Sequence, residues 1–146
     1  FVKVSGSLTL VGAEYSIDVL TPAVVEGTQS TPVVLDYAAV NLTPYNGQVA
    51  AATAVDTYSY YRLDNLTASN SYTLSMLTQQ DRSNMYIYTS AADLVRGKSA
   101  CNANDTDVGA PQVCTVTSIG TSLWIKIGYT AYNSDGTYFT LSATTP

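Results

Sequence analysis

The 146-residue chain contains no histidine. That removes Ser-His-Asp and Cys-His nucleophile arrangements outright. It also argues against a zinc site, since the two cysteines cannot close one by themselves. Charge is scarce as well. Asp, Glu, Lys and Arg together make up 12% of the residues, about half the usual share. Six are basic and eleven acidic, for a net charge of −5. Phosphate binding needs clustered cations, so the composition argues against nucleic acid as a partner, and against an anionic membrane surface for the same reason. No apolar run reaches the ~18 residues of a spanning helix, which argues against membrane insertion. The chain carries no signal-peptide pattern and begins at Phe1 rather than Met, which reads as a mature, processed form.

What remains is 46% apolar residues with an abundance of Thr, Ser, Tyr, Val and Ala, the palette of a β-rich extracellular protein. The length predicts one domain with room for an extension. Period-2 alternation, the mark of half-buried strands, recurs throughout. Near the N-terminus, Val2, Val4, Leu8 and Leu10 share a face with Gly6 as a gap in the row. Tyr15, Ile17 and Val19 form a second pattern that Pro22 ends. The polar stretch Glu26 to Pro32 is the natural boundary. Val33 to Val40 is an apolar run, Thr43 to Gly47 reads as a turn, and Gln48 to Val55 as a strand of small residues. Tyr58 to Leu66 is a strand with Tyr61 and Leu63 inward. Ser71 to Leu77 places Tyr72, Leu74 and Met76 on one face, and Asn84 to Tyr88 sets Met85 and Ile87 against Tyr86 and Tyr88. Ala91 to Lys98 fits a single helical turn. The last stretch, Ser122 to Ala143, reads as a hairpin, with Leu123, Ile125, Ile127 and Tyr129 on one face and Trp124 and Lys126 on the other, then the turn-forming Asn133 to Gly136, then Phe139, Leu141 and Ala143 alternating with Thr140 and Ser142. No segment shows a sustained helical period. Many short strands with regular turn signals predict an all-β antiparallel sandwich or barrel.

Cys101 and Cys114 lie in a polar loop. Their even count, close spacing and extracellular-type surroundings predict a disulfide, the alternative being two free thiols. From about Val40 to the end, the ordered pieces NGQVAAA, YYRLDNL, SYTLSML, NMYIY, the Cys101–Cys114 loop, SLWIKIGY and GTYFTLSA resemble the bacterial pre-peptidase C-terminal domain family. The resemblance implies a jelly-roll-like β-sandwich, secreted, appended to peptidases and other exported proteins as a binding or stabilising module and not as a catalyst. With the boundary at the polar stretch Glu26 to Pro32, the chain divides into an N-terminal strand extension, residues 1–32, and a sandwich resembling that family, residues 33–146. Residues 1–38 have no counterpart in the family pattern. The family often carries Asp before its core strand, where this chain has Ser83 and Asn84.

Four constellations are candidates for function. Asn102, Asn104, Asp105 and Asp107, before Gly109, offer hard oxygen ligands suited to Ca²⁺, although no Glu closes an EF-hand loop; the alternative is a plain polar loop. Tyr86, Tyr88, Trp124 and Lys126 point away from the core if Met85, Ile87, Leu123 and Ile125 point into it. Such an aromatic row can stack on sugars or pack against a partner chain, unless another strand or the N-terminal extension covers it. Asn41, Asn65 and Asn104 begin glycosylation sequons. Val2, Val4, Gly6, Leu8 and Leu10 form an amphipathic strand able to add to a neighbour's open sheet edge, or to pair within its own sandwich. Head-to-tail repetition of such a contact builds a filament.

The scattered carboxylates show no convergence, and the chain reads as non-enzymatic, with no required cofactor. The leading expectation is an extracellular or cell-surface structural subunit that self-assembles through its N-terminal strand into a filament or layer, with itself as partner. The alternative is an accessory module that binds protein or glycan for a secreted hydrolase.

Overall fold

The structure is a computed structural model that describes residues 27–49, 58–78, 83–104, 110–129 and 137–146. The N-terminal patterns over residues 1–26 and the turn Asn133 to Gly136 lie outside the described residues.

Among the described residues, nine strands form two sheets packed face to face. They are β1 (Val33–Asp36), β2 (Tyr45–Val49), β3 (Tyr58–Asp64), β4 (Ser71–Thr78), β5 (Ser83–Tyr88), β6 (Cys101–Asn104), β7 (Gln112–Thr117), β8 (Leu123–Tyr129) and β9 (Thr137–Thr144). The helices α1 (Tyr37–Leu42) and α2 (Ala91–Arg96) are short, and among the described residues no helix is long and apolar enough to cross a membrane. One sheet has the order β1-β3-β8-β5-β6 and the other β2-β9-β4-β7. The sandwich expectation holds. Its antiparallel character has one exception, because β1 runs parallel to β3. A parallel pair cannot be joined by a tight turn, and here the chain between the two passes through α1 and through β2 in the opposite sheet.

The alternation read in the sequence sets the core. Tyr61 and Leu63 of β3, Tyr72, Leu74 and Met76 of β4, Met85 and Ile87 of β5, Leu123, Ile125 and Ile127 of β8, and Phe139, Leu141 and Ala143 of β9 are all buried between the sheets. Tyr61 meets Phe139 and Tyr45 edge-on, with ring centroids 5.6 and 5.7 Å apart. These contacts tie β3 of one sheet to β9 and β2 of the other. Gly47 sits directly over the Phe139 ring, where any β-carbon would overlap it, so the turn-like glycine of the sequence is there for close packing.

Four local readings are corrected. The closing hairpin does not exist. β8 lies between β3 and β5, whereas β9 lies between β2 and β4 in the other sheet. Each strand carries an apolar row, and the two rows face one another across the core instead of sharing one face. Thr43 to Gly47 is not a turn, because Tyr45–Val49 pairs with Thr137–Leu141. The Val33–Val40 run is broken at Asp36, whose carboxylate accepts a hydrogen bond from the Ala38 N–H at 2.8 Å and so caps α1. The Cys101–Cys114 segment is not all loop, since Cys101–Asn104 pairs with β5. The helical turn predicted at Ala91–Lys98 is α2. Ser90 caps it by accepting from the Asp93 N–H, and Gly97 ends it in the left-handed conformation with φ of +68°.

The Cys101–Cys114 disulfide forms as expected. It links β6 to β7, the adjacent edge strands of the two sheets, and staples one side of the sandwich.

Candidate binding surface

Alternation dictates that residues on either side of an inward side chain point outward. On β3 these are Tyr58, Tyr60, Arg62 and Asp64; on β8, Trp124 and Lys126; on β5, Tyr86 and Tyr88. The register aligns them in rows across the five-stranded sheet. Arg62, Trp124 and Tyr88 form one row; Tyr60, Lys126, Tyr86 and Asn102 the next; Tyr58, Gly128, Asn84 and Asn104 the third. Gly128 has no side chain, and over that gap the Tyr58 and Tyr86 rings meet edge-on at 6.3 Å. The Lys126 ammonium lies 3.6 Å from the Tyr58 centroid and 5.3 Å from that of Tyr86, within cation–π range of both.

Tyr58, Tyr60, Arg62, Tyr86, Trp124 and Lys126 are half-buried. Tyr88 departs from its expected exposure: it lies in the outward row but is only 2% exposed. Burial pushes its hydroxyl above the usual tyrosine range, and the neighbouring Tyr60 and Tyr86 hydroxyls push the same way. Tyr60 is raised by burial alone. Both phenols therefore stay neutral donors at physiological pH. At one end, Arg62 grips Asp64 through Nε at 2.9 Å and Nη2 at 2.7 Å, and Ser122 donates to the same carboxylate at 2.7 Å. The guanidinium hydrogen bond holds the Asp64 carboxyl below its ordinary range, with help from Ser122 and against a smaller effect of burial. With that pair mutually neutralised, Lys126 is the remaining charge in these rows among the described residues.

The structure thus brings Tyr86, Tyr88, Trp124 and Lys126 onto one face and adds Tyr58, Tyr60 and Arg62 from β3. Those three carried a legible signal, since the alternation that turns Tyr61 and Leu63 inward turns them outward. Asn102 and Asn104 are exposed on β6 and flank the aromatic rows as a polar border. Their proposed calcium-binding companions Asp105 and Asp107 lie outside the described residues, as do Val2, Val4, Gly6, Leu8 and Leu10. Among the described residues no group of three or more His, Cys, Asp or Glu side chains is placed to hold a metal. Ser83 and Asn84, where the family often has Asp, are both buried, and Asn84 donates to the Tyr86 hydroxyl at 3.3 Å. Of the sequon asparagines, Asn41, Asn65 and Asn104 are all exposed, with Asn65 donating to Asp36 at 3.1 Å.

A second surface lies on the unstapled side. An open groove of about 570 Å³ runs between Val34–Asp36 of β1, Ala39, Val40 and Leu42 of α1, and Thr43–Asn46 at the start of β2. Val34 and Leu42 are 56% and 83% exposed along it.

No family model matches the sequence, and no curated protein matches it either. Among solved structures, the chain is similar to the crystal structure of the pre-peptidase C-terminal domain of collagenase from Bacillus anthracis. The match has a TM-score of 0.55 and 16% identity, over 77% of this chain and 94% of that domain. The fold is that of a pre-peptidase C-terminal domain. At this identity the likeness concerns the arrangement of strands, and it bears out the resemblance drawn from the ordered motifs. In this pre-peptidase C-terminal fold, the aromatic rows occupy the outer face of the five-stranded sheet.

Proposed function

We propose that the chain is a non-catalytic, extracellular binding module that holds a polymeric substrate, protein or glycan, for a secreted hydrolase. The observation that carries this reading is the three-stranded array of Tyr58, Tyr60, Tyr86 and Trp124 around Lys126. Large ring faces, neutral phenolic donors and one cation offer stacking and hydrogen bonding with little charge selectivity, which suits an extended polymer more than a small ionic ligand. The similar domain belongs to a collagenase, an enzyme whose substrate is a polymer. The absence of histidine from the whole sequence and the disulfide are consistent with a non-catalytic role in an oxidising compartment. The test is retention of the intact protein on immobilised collagen, gelatin and insoluble polysaccharides. Trp124→Ala should abolish retention on the matrix that the parent binds; unchanged retention on every matrix would sink the reading.

A second reading is favoured by the open groove beside β2. Here the sandwich, taken as jelly-roll-like from residue 33 onward, self-assembles into a filament or surface layer through the strand Val2–Leu10 of the extension over residues 1–32. Deletion of residues 1–12 should then prevent polymerisation, as seen by negative-stain microscopy.

A further inference from the structure

On the outer face of the five-stranded sheet, charge is committed within the face itself. Among the described residues, the outward positions of its strands carry the charged side chains Asp36, Arg62, Asp64 and Lys126. Arg62 and Asp64 hold each other at 2.7 Å, with Ser122 on the same carboxylate. Asp36 accepts from the Ala38 N–H at 2.8 Å and from the Asn65 amide at 3.1 Å. The Lys126 ammonium is within reach of both the Tyr58 and Tyr86 rings. A paired charge at a hydrated surface offers little attraction to an incoming ion, and an anion would reach Lys126 only by competing with its ring contacts.

Two of the rings are not committed. Tyr60 stands opposite Lys126, and Arg62 opposite Trp124, so Tyr60 and Trp124 are diagonal neighbours on adjacent strands, ~7–8 Å apart at the backbone. Among the described residues, neither ring enters a ring pair or a cation–π contact, and neither the indole N–H nor the Tyr60 hydroxyl has a hydrogen-bond partner. Both side chains are half-buried, with their polar tips left to solvent or a ligand. β1 extends the face by setting Val34 beside Arg62, so that one row runs from Val34 through Arg62 and Trp124 to Tyr88. At ~4.8 Å per strand this row is ~14 Å long.

We infer that this face takes an uncharged polysaccharide, laid across Tyr60 and Trp124. The inference rests on the binding-module reading and names its substrate class. A sugar ring presents an apolar C–H face that stacks on an aromatic plane, and hydroxyls around its rim. The indole N–H, the Tyr60 hydroxyl and the exposed Asn102 amide in the Tyr60 row meet those hydroxyls, as do the guanidinium N–H groups that Asp64 leaves over. A protein chain gains its affinity from anchors that fill pockets or from backbone pairing at a sheet edge. Tyr60 and Trp124 stand on β3 and β8, each flanked by strands on both sides, so the backbone beneath them is already paired.

The experiment runs the intact chain in native gels containing neutral galactomannan or mixed-linkage β-glucan, with alginate as an acidic polysaccharide and gelatin as a protein. Trp124 is the sole tryptophan, so its fluorescence reports occupancy in the unmutated protein. At least one neutral polymer should retard the chain, and titration with it should change the Trp124 emission. The effect should persist in ~1 M salt, where the Debye length is ~3 Å. Trp124→Ala and Tyr60→Ala, checked for folding by their urea midpoints, should each weaken binding at least about tenfold. Tyr60→Phe keeps the ring and should lose less. Retardation in alginate that salt abolishes, or in gelatin, without retardation in a neutral polymer overturns the inference and leaves the binding-module reading standing. A neutral polymer that binds without changing the Trp124 emission sits elsewhere, which also overturns it. Free mobility in every gel defeats both.

Discussion

The Lys126 ammonium lies 3.6 Å from the centre of the Tyr58 ring, on the adjacent strand and one row away. A cation held there is attracted by the ring face and partly shielded from water. Lys126→Gln should lower stability by about 0.5–1 kcal/mol, read as a fall in the urea midpoint with the slope unchanged. Tyr58→Phe keeps the ring face and should leave most of that contribution in place, whereas Tyr58→Leu should not. Equal losses for Phe and Leu would mean that the hydroxyl, not the ring, holds the lysine.

The disulfide closes a short loop between opposite sheets. By loop-closure entropy, replacing Cys101 and Cys114 with Ser should cost about 3 kcal/mol. Differential scanning calorimetry of the double variant, beside the parent with and without reductant, checks this. A loss near zero would show that the β5–β6 pairing alone holds that side.

Gly47 has no room for a β-carbon over the Phe139 ring. Gly47→Ala should destabilise by about 1–3 kcal/mol, the range for overpacking a filled core. Phe139→Leu alone removes core contacts, yet combined with Gly47→Ala it should restore part of the loss. A double-mutant cycle in chemical denaturation with a coupling energy near zero would show that the clash is relieved elsewhere.

Asp64 titrates below its ordinary value because of the Arg62 hydrogen bonds and the Ser122 donor. A folded-state value below the unfolded one gives stability that is fully present above about pH 4 and is lost as pH falls through the folded value. The pair is partly exposed, at 38% for Arg62 and 24% for Asp64, which limits the gain to less than ~1 kcal/mol. Asp64→Asn should therefore flatten the acid side of the stability profile and leave the slope above neutrality unchanged. An unchanged acid slope in the variant would assign that slope to other carboxylates.

Alternation along single strands was legible because it is local. Tyr61, Leu63, Tyr72, Leu74, Met76, Met85 and Ile87 needed no partner to be recognised as core residues, and the outward placement of Tyr86, Trp124 and Lys126 followed from the same period. The exposure of Tyr88 was not legible. Its row is fixed by alternation, but its 2% exposure depends on what packs over it. Asp36 shows the limit from the other side. A single capping carboxylate divides one apolar run into a strand and a helix, and the hydrophobic period does not mark the division.

The identity of each strand's neighbour was not local at all. Among the nine strands, only β5 and β6 follow one another in the chain and pair in the same sheet; every other connection crosses the sandwich. Consecutive strands usually neighbour each other, and that expectation produced the false hairpin of β8 and β9. The sequence by itself determined the all-β class, the inward and outward rows, the disulfide partners and the lack of any histidine-based chemistry, because each depends on composition or on a period of two residues. Tertiary structure alone decided that β3 lies beside β8, so that Tyr58, Tyr60 and Arg62 join Trp124 and Lys126, and that β9 lies between β2 and β4 in the other sheet. Both facts depend on which strands pair across long stretches of chain, and equivalent alternating patterns carry no label that distinguishes one partner from another.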